Sequence, residues 1–224
     1  MKKILKRIFL FLISVIGISI VYFFYFNYQA GIITKGNKIP VYDNSKSALL
    51  VVDIQEATTG KLSNTDQYIQ KSESLINKIN EIVKIVAANN ILIIYIYTES
   101  SNWFMNLLND TMEKGSLGTK VDSRLNIVSK NILSKGKMDS FSNPDLDDIL
   151  IKNKISKIYF VGLDPAYCIN NTIAAAQSRG YKPYVIKDAI ISETDELKNE
   201  MLDKFKTKGV RLIKTSEYLK NTSQ

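Results

Sequence analysis

The hydrophobic positions of the chain fall into two parts, and the first is a single uninterrupted apolar run. Residues 8–26 contain no charged side chain, and Ser14, Gly17 and Ser19 are the only small or polar interruptions. A helix over this run, at about 1.5 Å rise per residue, spans roughly 28 Å, close to the hydrocarbon thickness of a bilayer. The pattern therefore predicts one N-terminal transmembrane helix.

Charged and aromatic residues at the two ends of this run indicate its orientation. Basic residues precede it, no acidic residue appears before Asp43, and Tyr and Phe crowd its far end. The positive-inside bias and the aromatic belt together place the N-terminus in the cytoplasm and the remainder of the chain outside, as a single-pass protein. The predicted parts are a basic stub with the anchor (1–28), a polar tether (29–45) and an outer domain (46–224).

A cleaved signal peptide is the alternative to a retained anchor. Its apolar core is usually about 7–15 residues long and ends in small residues at the cleavage site. The run in this chain is longer, and Tyr28 stands where a small residue is preferred. No cysteine lies near residue 30, which argues against lipoprotein processing as well. We therefore expect the anchor to be retained.

From residue 46 onward, short apolar runs alternate with amphipathic stretches. Continuous apolar runs predict buried strands over residues 48–52, 91–97, 155–161, 184–186 and 210–213. Apolar positions at helical spacing predict helices over residues 68–88, 166–179 and 193–206. Buried strands separated by helices are typical of parallel sheets covered on both faces. The sequence thus predicts an α/β domain of three layers, α-β-α, with a central, mostly parallel sheet.

The composition excludes several kinds of catalytic and binding site. The chain has one Cys and no His, so a Ser-His-Asp triad, a Cys-His pair, a His-bound metal and an intramolecular disulfide are all impossible. Its net charge is +8, but the lysines are dispersed and not clustered with aromatics, and we expect no nucleic-acid partner. Proton chemistry near neutral pH must then come from carboxylates, Lys, Tyr or the single Cys.

Polar residues stand at the predicted carboxyl ends of three strands, where open parallel sheets bind ligands. Asp53 ends the first strand, Thr98 and Glu99 follow the second, and Cys168 lies in the first turn of the helix after residues 155–161. The helix dipole and free amides at that position are expected to lower the thiol pKa from about 8.5. Each residue also has a structural explanation, since Cys is commonly buried, Asp forms turns and Lys135 alone would pass as a surface lysine.

Taken together, these positions resemble the isochorismatase-like cysteine hydrolases over nearly all of the outer domain. Three segments carry the resemblance: Val52-Asp53-Ile54-Gln55, Lys135 ahead of Ser140-Phe141, and Gly162 six residues before Cys168. The Asp188-Ala189 pair after the nucleophile helix also matches the family. The resemblance implies the same three-layer fold that the hydrophobic pattern predicts.

The resemblance also implies a catalytic role for three residues. Asp53 is implied to be the general base, Lys135 to lie between Asp53 and Cys168 and favour the thiolate, and Cys168 to attack a carbonyl carbon. The family has a cis peptide at the position of Leu163–Asp164 and an oxyanion hole formed by the N–H groups of Asp164 and Cys168. The implied activity is hydrolysis of a small amide-type C–N bond, without a cofactor.

Two features depart from the family pattern. Nicotinamidases of the family bind a metal through Asp and His, and a chain without His puts that metal and that substrate in doubt. Asp164-Pro165 replaces a usually small residue, and the carboxylate either repels an oxyanion or recognises a cationic substrate, depending on its orientation. Two alternatives stay open: a non-catalytic ligand-binding or scaffolding derivative, and a vinyl-ether hydrolase that needs no thiol.

Side chains that flank the implied site in sequence are candidate substrate contacts: Gln55, Glu99, Trp103, Phe104, Phe141 and Tyr167. The expected partners are a small-molecule substrate and the membrane, the latter through residues 8–26. A homo-oligomer is consistent with the resemblance, although the sequence identifies no interface.

Overall fold

The computed structural model describes residues 2–222, which form one long N-terminal helix followed by an α/β domain. The strands are β1 (Lys46–Val52), β2 (Leu92–Thr98), β3 (Ile132–Lys135), β4 (Ile155–Gly162), β5 (Lys182–Ile190) and β6 (Arg211–Ile213). The helices are α1 (Lys2–Gly31), α2 (Asp66–Ala88), α3 (Trp103–Leu108), α4 (Asp145–Lys152), α5 (Cys168–Arg179), α6 (Asp195–Thr207) and α7 (Thr215–Thr222).

Within residues 2–222 the strands form a single six-stranded sheet in the order β3-β2-β1-β4-β5-β6. Every neighbouring pair is parallel. The chain moves outward from β1 to β2 and β3, then returns to the other side of β1 for β4. The carboxyl ends of β1 and β4 therefore border the point where the strand order reverses, which is the usual ligand crevice of such sheets.

Alternate residues of the strands face two separate hydrophobic layers. Ala48 and Leu50 of β1 contribute to the layer covered by α4, α5 and α6, whereas Leu49 and Val51 contribute to the layer covered by α2 and α7. This alternation follows from the pleat, because successive strand side chains point to opposite faces. The predicted three-layer architecture with a parallel sheet is confirmed.

One strand and three helices were not apparent from the hydrophobic pattern. The strand β3 has four residues, of which only Ile132 and Leu133 are apolar, too few for a period to be recognised. The helices α3, α4 and α7 have six, eight and eight residues, below the window in which helical spacing is distinctive. The missed strand matters for function, because Lys135 is its last residue.

The long helix α1 is a candidate membrane span by length and composition. It has 30 residues, a mean hydropathy of 2.5 over its most apolar window, and no side chain of that window buried in the protein. It ends at Gly31, so its last turn includes the first residues of the predicted tether. A signal sequence would satisfy the same test of length and composition.

The segment after α1 is attached to the domain through buried polar contacts. Arg179, at the end of α5, donates from Nη1 to the carbonyl oxygen of Thr34 at 2.9 Å and from Nη2 to that of Lys35 at 3.2 Å. The backbone N–H of Thr34 donates to Asp139 Oδ2 at 2.8 Å. The Arg179 guanidinium is also paired with Asp147 at 2.9 Å. These contacts hold the predicted tether against the outer domain.

Candidate active site

Adjacent strand ends supply the polar side chains of the site. Asp53 follows the last residue of β1, while Thr98 and Lys135 are the last residues of β2 and β3 and are paired in register. Cys168 is the first residue of α5, which follows β4 after a short connection. Because the strands are parallel, these residues all lie at the carboxyl ends of the strands, on one side of the sheet.

Lys135 joins the carboxylate and the thiol. Its Nζ lies 3.0 Å from Asp53 Oδ2 and 3.0 Å from Cys168 Sγ. It also donates to the hydroxyl of Thr98, which in turn donates to Asp53 Oδ1 at 2.9 Å. Lys135 is only 1% exposed, so its ammonium is enclosed by these three partners. The structure thus brings together Asp53, Lys135 and Cys168, and adds Thr98.

The electrostatics of the group differ from the sequence-based expectation. Burial alone lowers the pKa of Lys135, but the adjacent Asp53 carboxylate and Cys168 outweigh it and leave the pKa raised. The pKa of the Cys168 thiol is raised to about 12, because burial and the Asp53 carboxylate raise it by more than Lys135 lowers it. The expected lowering of the thiol pKa is therefore wrong for the resting protein. Desolvation and the neighbouring carboxylate outweigh the ammonium.

Asp53 occupies a conformation that is unusual for a residue other than glycine. Its φ is +54°, in the left-handed region that Asp tolerates better than most residues. Its backbone N–H donates to the Ile96 carbonyl oxygen at 2.8 Å, and its own carbonyl accepts from Thr58. A strained conformation of this kind costs on the order of 1–3 kcal/mol and persists where the surroundings hold it. Such strain is common at functional sites, where it holds a side chain, in this case that of Asp53, in a required position.

Gly162 permits the close approach of β4 to β1 beside the nucleophile. Its φ is +108°, and a Cβ atom at this position would lie 2.1 Å from the Val52 carbonyl oxygen. The Leu163 N–H then donates to that same carbonyl at 3.0 Å. The chain therefore needs glycine at position 162 in order to turn from β4 into the connection that leads to Cys168.

The orientation of the Asp164 carboxylate shows whether it is available to repel an oxyanion or to recognise a cationic substrate. Its carboxylate accepts from the Tyr68 hydroxyl at 2.7 Å, the Ser192 hydroxyl at 2.8 Å, and the N–H groups of Ala166 at 2.6 Å and Glu193 at 3.2 Å. Burial raises the pKa of Asp164, and these donors act against the rise. The carboxylate is thus hydrogen-bonded inside the protein, where it links α2 to the segment after β5, and it does not point at the substrate.

The backbone around Asp164 has the form that the family resemblance implies. The Leu163–Asp164 peptide bond is cis. The Asp164 carbonyl oxygen accepts from the N–H groups of Tyr167 and Ile169, at 3.1 and 3.0 Å. In the part of the chain that the structure describes, we find no protein acceptor for the N–H groups of Asp164 and Cys168. These two N–H groups are the ones that the family resemblance implies as an oxyanion hole.

The candidate substrate contacts fall into different places. Gln55 is fully buried and holds Thr98: its amide oxygen accepts from the Thr98 N–H at 2.7 Å and its amide nitrogen donates to the Thr98 carbonyl at 3.0 Å. Phe141 is also buried, stacked under the Arg179 guanidinium. Neither side chain has surface to offer a substrate, because each is used to position other residues. The expectation that Gln55 and Phe141 contact the substrate is therefore corrected: both side chains support other residues of the protein.

The remaining candidates lie at the surface or in a cavity. Glu99 lines a cavity of about 330 Å³ together with Gly136, the residue after Lys135. Tyr167 is partly exposed, and its hydroxyl lies 3.4 Å from Glu193. Trp103 and Phe104 open α3, where Trp103 is 74% exposed and Phe104 packs on α1. Thr98, which the sequence placed at a strand end without a role, belongs to the site itself.

The side chains present do not suit a metal ion. The chain contains no His, and residues 2–222 hold no group of three or more His, Cys, Asp or Glu side chains placed to bind one.

The fold and the site define a doubly wound α/β protein with an ion pair and a thiol at its switch point. Comparison with known proteins then identifies the family. The sequence matches the family model of the Isochorismatase domain over residues 47–217, most of the chain. The chain therefore belongs to the isochorismatase family, whose members are hydrolases and include amidases.

Solved structures show the same fold at low sequence identity. An isochorismatase-like hydrolase from Alkaliphilus metalliredigens is 20% identical with a TM-score of 0.71, covering 79% of this chain and 98% of its own. A cysteine hydrolase from Pseudomonas syringae pv. phaseolicola is 19% identical with a TM-score of 0.69, covering 85% and 99%. N-carbamoylsarcosine amidase from Thermoplasma acidophilum is 22% identical with a TM-score of 0.64, covering 76% and 96%. No curated protein matches the chain.

Proposed function

We propose that the chain is a membrane-anchored cysteine hydrolase that cleaves a small amide-type C–N bond with Cys168, Asp53 and Lys135. The observation that carries the proposal is the position of Lys135 Nζ, 3.0 Å from both Asp53 Oδ2 and Cys168 Sγ. An amidase and a cysteine hydrolase are among the structures that share its fold.

The first half of the proposed reaction acylates the enzyme. The Cys168 thiol and the Asp53 carboxylate both lie 3.0 Å from Lys135 Nζ, and the thiol gives its proton to Asp53 as sulfur attacks the substrate carbonyl carbon. The N–H groups of Asp164 and Cys168 donate hydrogen bonds to the oxyanion of the tetrahedral intermediate. Collapse breaks the C–N bond, the Asp53 proton passes to the leaving nitrogen, and ammonia or an amine departs.

The second half regenerates the thiol. Asp53, again a carboxylate, takes a proton from water, whose oxygen attacks the thioester carbonyl carbon. The C–S bond breaks, the proton returns to sulfur, and a carboxylic acid is released. The buried ammonium of Lys135 remains charged throughout, since its pKa is raised. It stabilises the negative charge on whichever partner carries it, Asp53 at rest or sulfur during attack.

The proposed function is tested by ammonia release from a panel of small primary amides. The full-length chain is assayed in detergent micelles, and we expect Cys168→Ala to abolish the release and Lys135→Ala to reduce it severely. Lys137→Ala is the matched control, because this residue lies two positions away and is expected to keep wild-type activity. Undiminished release by Cys168→Ala would contradict the mechanism.

The same assay separates the alternatives. A vinyl-ether hydrolase would release no ammonia from amides and would keep its activity in Cys168→Ser. A non-catalytic derivative would turn over neither substrate class.

For the anchor, we propose that α1 crosses the membrane with its basic end in the cytoplasm, supported by the charge difference across residues 8–26. A protease added to sealed inside-out vesicles should then leave the α/β domain intact.

A further inference from the structure

The helix α3 presents an apolar surface to the outside of the protein. Trp103 is 74% exposed, Leu107 75% and Leu108 58%. Residues 100–109 contain no charged side chain, although a charged residue stands on either side of them. Clustered exposed side chains of this size mark a contact with a partner or a membrane.

This surface is continuous with the candidate membrane span. The Phe104 ring packs edge-on against Tyr22 of α1, with ring centroids 5.0 Å apart, and the Asn102 side chain donates to the Tyr22 hydroxyl at 2.9 Å. Phe104 and Leu108 also line an apolar groove of about 350 Å³ together with α1 residues between positions 15 and 24. Most of these positions belong to the outer half of the apolar run 8–26. If α1 crosses a bilayer, α3 lies within the outer leaflet.

The contacts at the end of α1 fix this placement relative to the site. The Ala30 carbonyl oxygen accepts from the Met138 N–H at 3.1 Å. The Gly31 carbonyl accepts from the side chain of Asn171, one turn after Cys168 on the nucleophile helix, also at 3.1 Å. The helix α1 therefore ends on the nucleophile helix. If α1 crosses a bilayer, the carboxyl ends of the strands, where the site lies, face that bilayer.

Two cavities lie along this junction, and their linings differ in polarity. The groove between α1 and α3 is formed almost entirely by apolar side chains. The cavity of about 330 Å³ beside the site is bounded by Phe26 of α1 and by Glu99, Ser100, Ser101, Asn102 and Gly136. The last of these follows Lys135 directly. An apolar groove next to a polar cavity fits a molecule that has an acyl chain and a polar head.

We propose that α3 is a second membrane contact, immersed in the outer leaflet beside α1, and that the site takes an amphiphilic amide from the bilayer. The membrane contact rests on the surface of α3 and its packing on α1, while the substrate class also rests on the proposed amidase function. The short uncharged α3 and its terminal Trp are typical of segments that lie in a membrane interface.

Trp103 is the only Trp of the chain, so intrinsic fluorescence reports directly on α3. The full-length protein is reconstituted into phosphatidylcholine vesicles with or without brominated acyl chains. We expect blue-shifted Trp103 emission that falls by about half or more with brominated lipid and is protected from aqueous iodide. The matched control is Trp103→Phe combined with Ile151→Trp. This places the Trp at the end of α4, near the amino ends of the strands and away from the site. Its emission should respond to iodide and not to brominated lipid.

Quenching of wild-type Trp103 by iodide but not by brominated lipid would overturn the membrane contact. Blue-shifted emission that brominated lipid does not affect would overturn it too, because it would mean that protein covers α3.

The substrate class is tested by comparing a long-chain acyl anilide in vesicles with its soluble acetyl counterpart. In the double variant Leu107→Asn, Leu108→Asn we expect kcat/KM to fall at least tenfold for the long-chain substrate and to stay unchanged for the soluble one. Ile151→Asn is the control and should alter neither. Equal effects on both substrates would refute the amphiphilic substrate. If wild type cleaves neither while Trp103 is quenched by lipid, the amidase proposal fails and the membrane contact stands.

Discussion

Replacing Asp53 by Asn is expected to make Cys168 more reactive toward alkylation while abolishing turnover. In the resting protein burial raises the pKa of the Cys168 thiol, and the Asp53 carboxylate raises it further because it opposes a negative charge on sulfur. Asn has nearly the same shape but no charge. Lys135, buried and without its carboxylate, then has the sulfur as its remaining anionic partner.

The size of the effect follows from the geometry. The substitution removes the repulsion between the Asp53 carboxylate and a Cys168 thiolate, which both lie 3.0 Å from Lys135 Nζ. Unit charges at about 4 Å interact by on the order of 4 kcal/mol at an effective dielectric constant of about 20. That energy corresponds to about 3 pKa units. We expect the pKa of Cys168 in Asp53→Asn to fall by a large part of this amount, so its thiolate fraction near pH 8 rises by about a hundredfold or more.

The assay is the rate of iodoacetamide labelling of Cys168 between pH 6 and pH 10, followed by intact mass. Since the chain has a single Cys, the label reports on one site. Wild-type labelling should be slow at neutral pH and rise with pH without a plateau, because the thiol pKa is raised. Asp53→Asn should label faster and plateau at lower pH, yet release no ammonia, because the general base is gone.

Glu56→Gln is the control for this experiment, since it removes a carboxylate near Asp53 in sequence that makes no contact with the thiol. Slower labelling in Asp53→Asn than in wild type, with an unchanged unfolding temperature, would refute the reasoning. That result would mean that the carboxylate supports a thiolate already present at rest.

Three further predictions concern residues that build the site. Gly162→Ala should prevent folding or lower the unfolding temperature markedly, as seen by circular dichroism, because its Cβ would lie 2.1 Å from the Val52 carbonyl oxygen. Thr98→Val should lower kcat about tenfold with little change in fold, by removing a hydrogen bond of about 1–2 kcal/mol to Asp53; an unchanged kcat would contradict this. Arg179→Met should destabilise the chain by on the order of 3 kcal/mol and expose the segment after α1 to trypsin, whereas resistance to trypsin would show that other contacts hold it.

The sequence determined the elements whose periodicity is strong. The long apolar strands and the helix α2 were recognisable because burial on both faces, or on one helical face, imposes a repeating pattern. Asp53, Lys135 and Cys168 were found through their order along the chain and the family resemblance, since a motif records which residue types the chemistry needs. The charge-free run 8–26 identified the candidate span in the same local way.

Tertiary structure decided what depends on distance and desolvation. Whether the thiol of Cys168 is neutral or charged follows from three mutual distances and from burial, neither of which a sequence pattern contains. The inward turn of Asp164 and the supporting role of Gln55 depend on partners far away along the chain, such as Tyr68 and Thr98. The docking of α3 on α1 likewise joins segments about 80 residues apart. Local patterns record what each segment buries, and only the folded chain shows which charges and surfaces then meet.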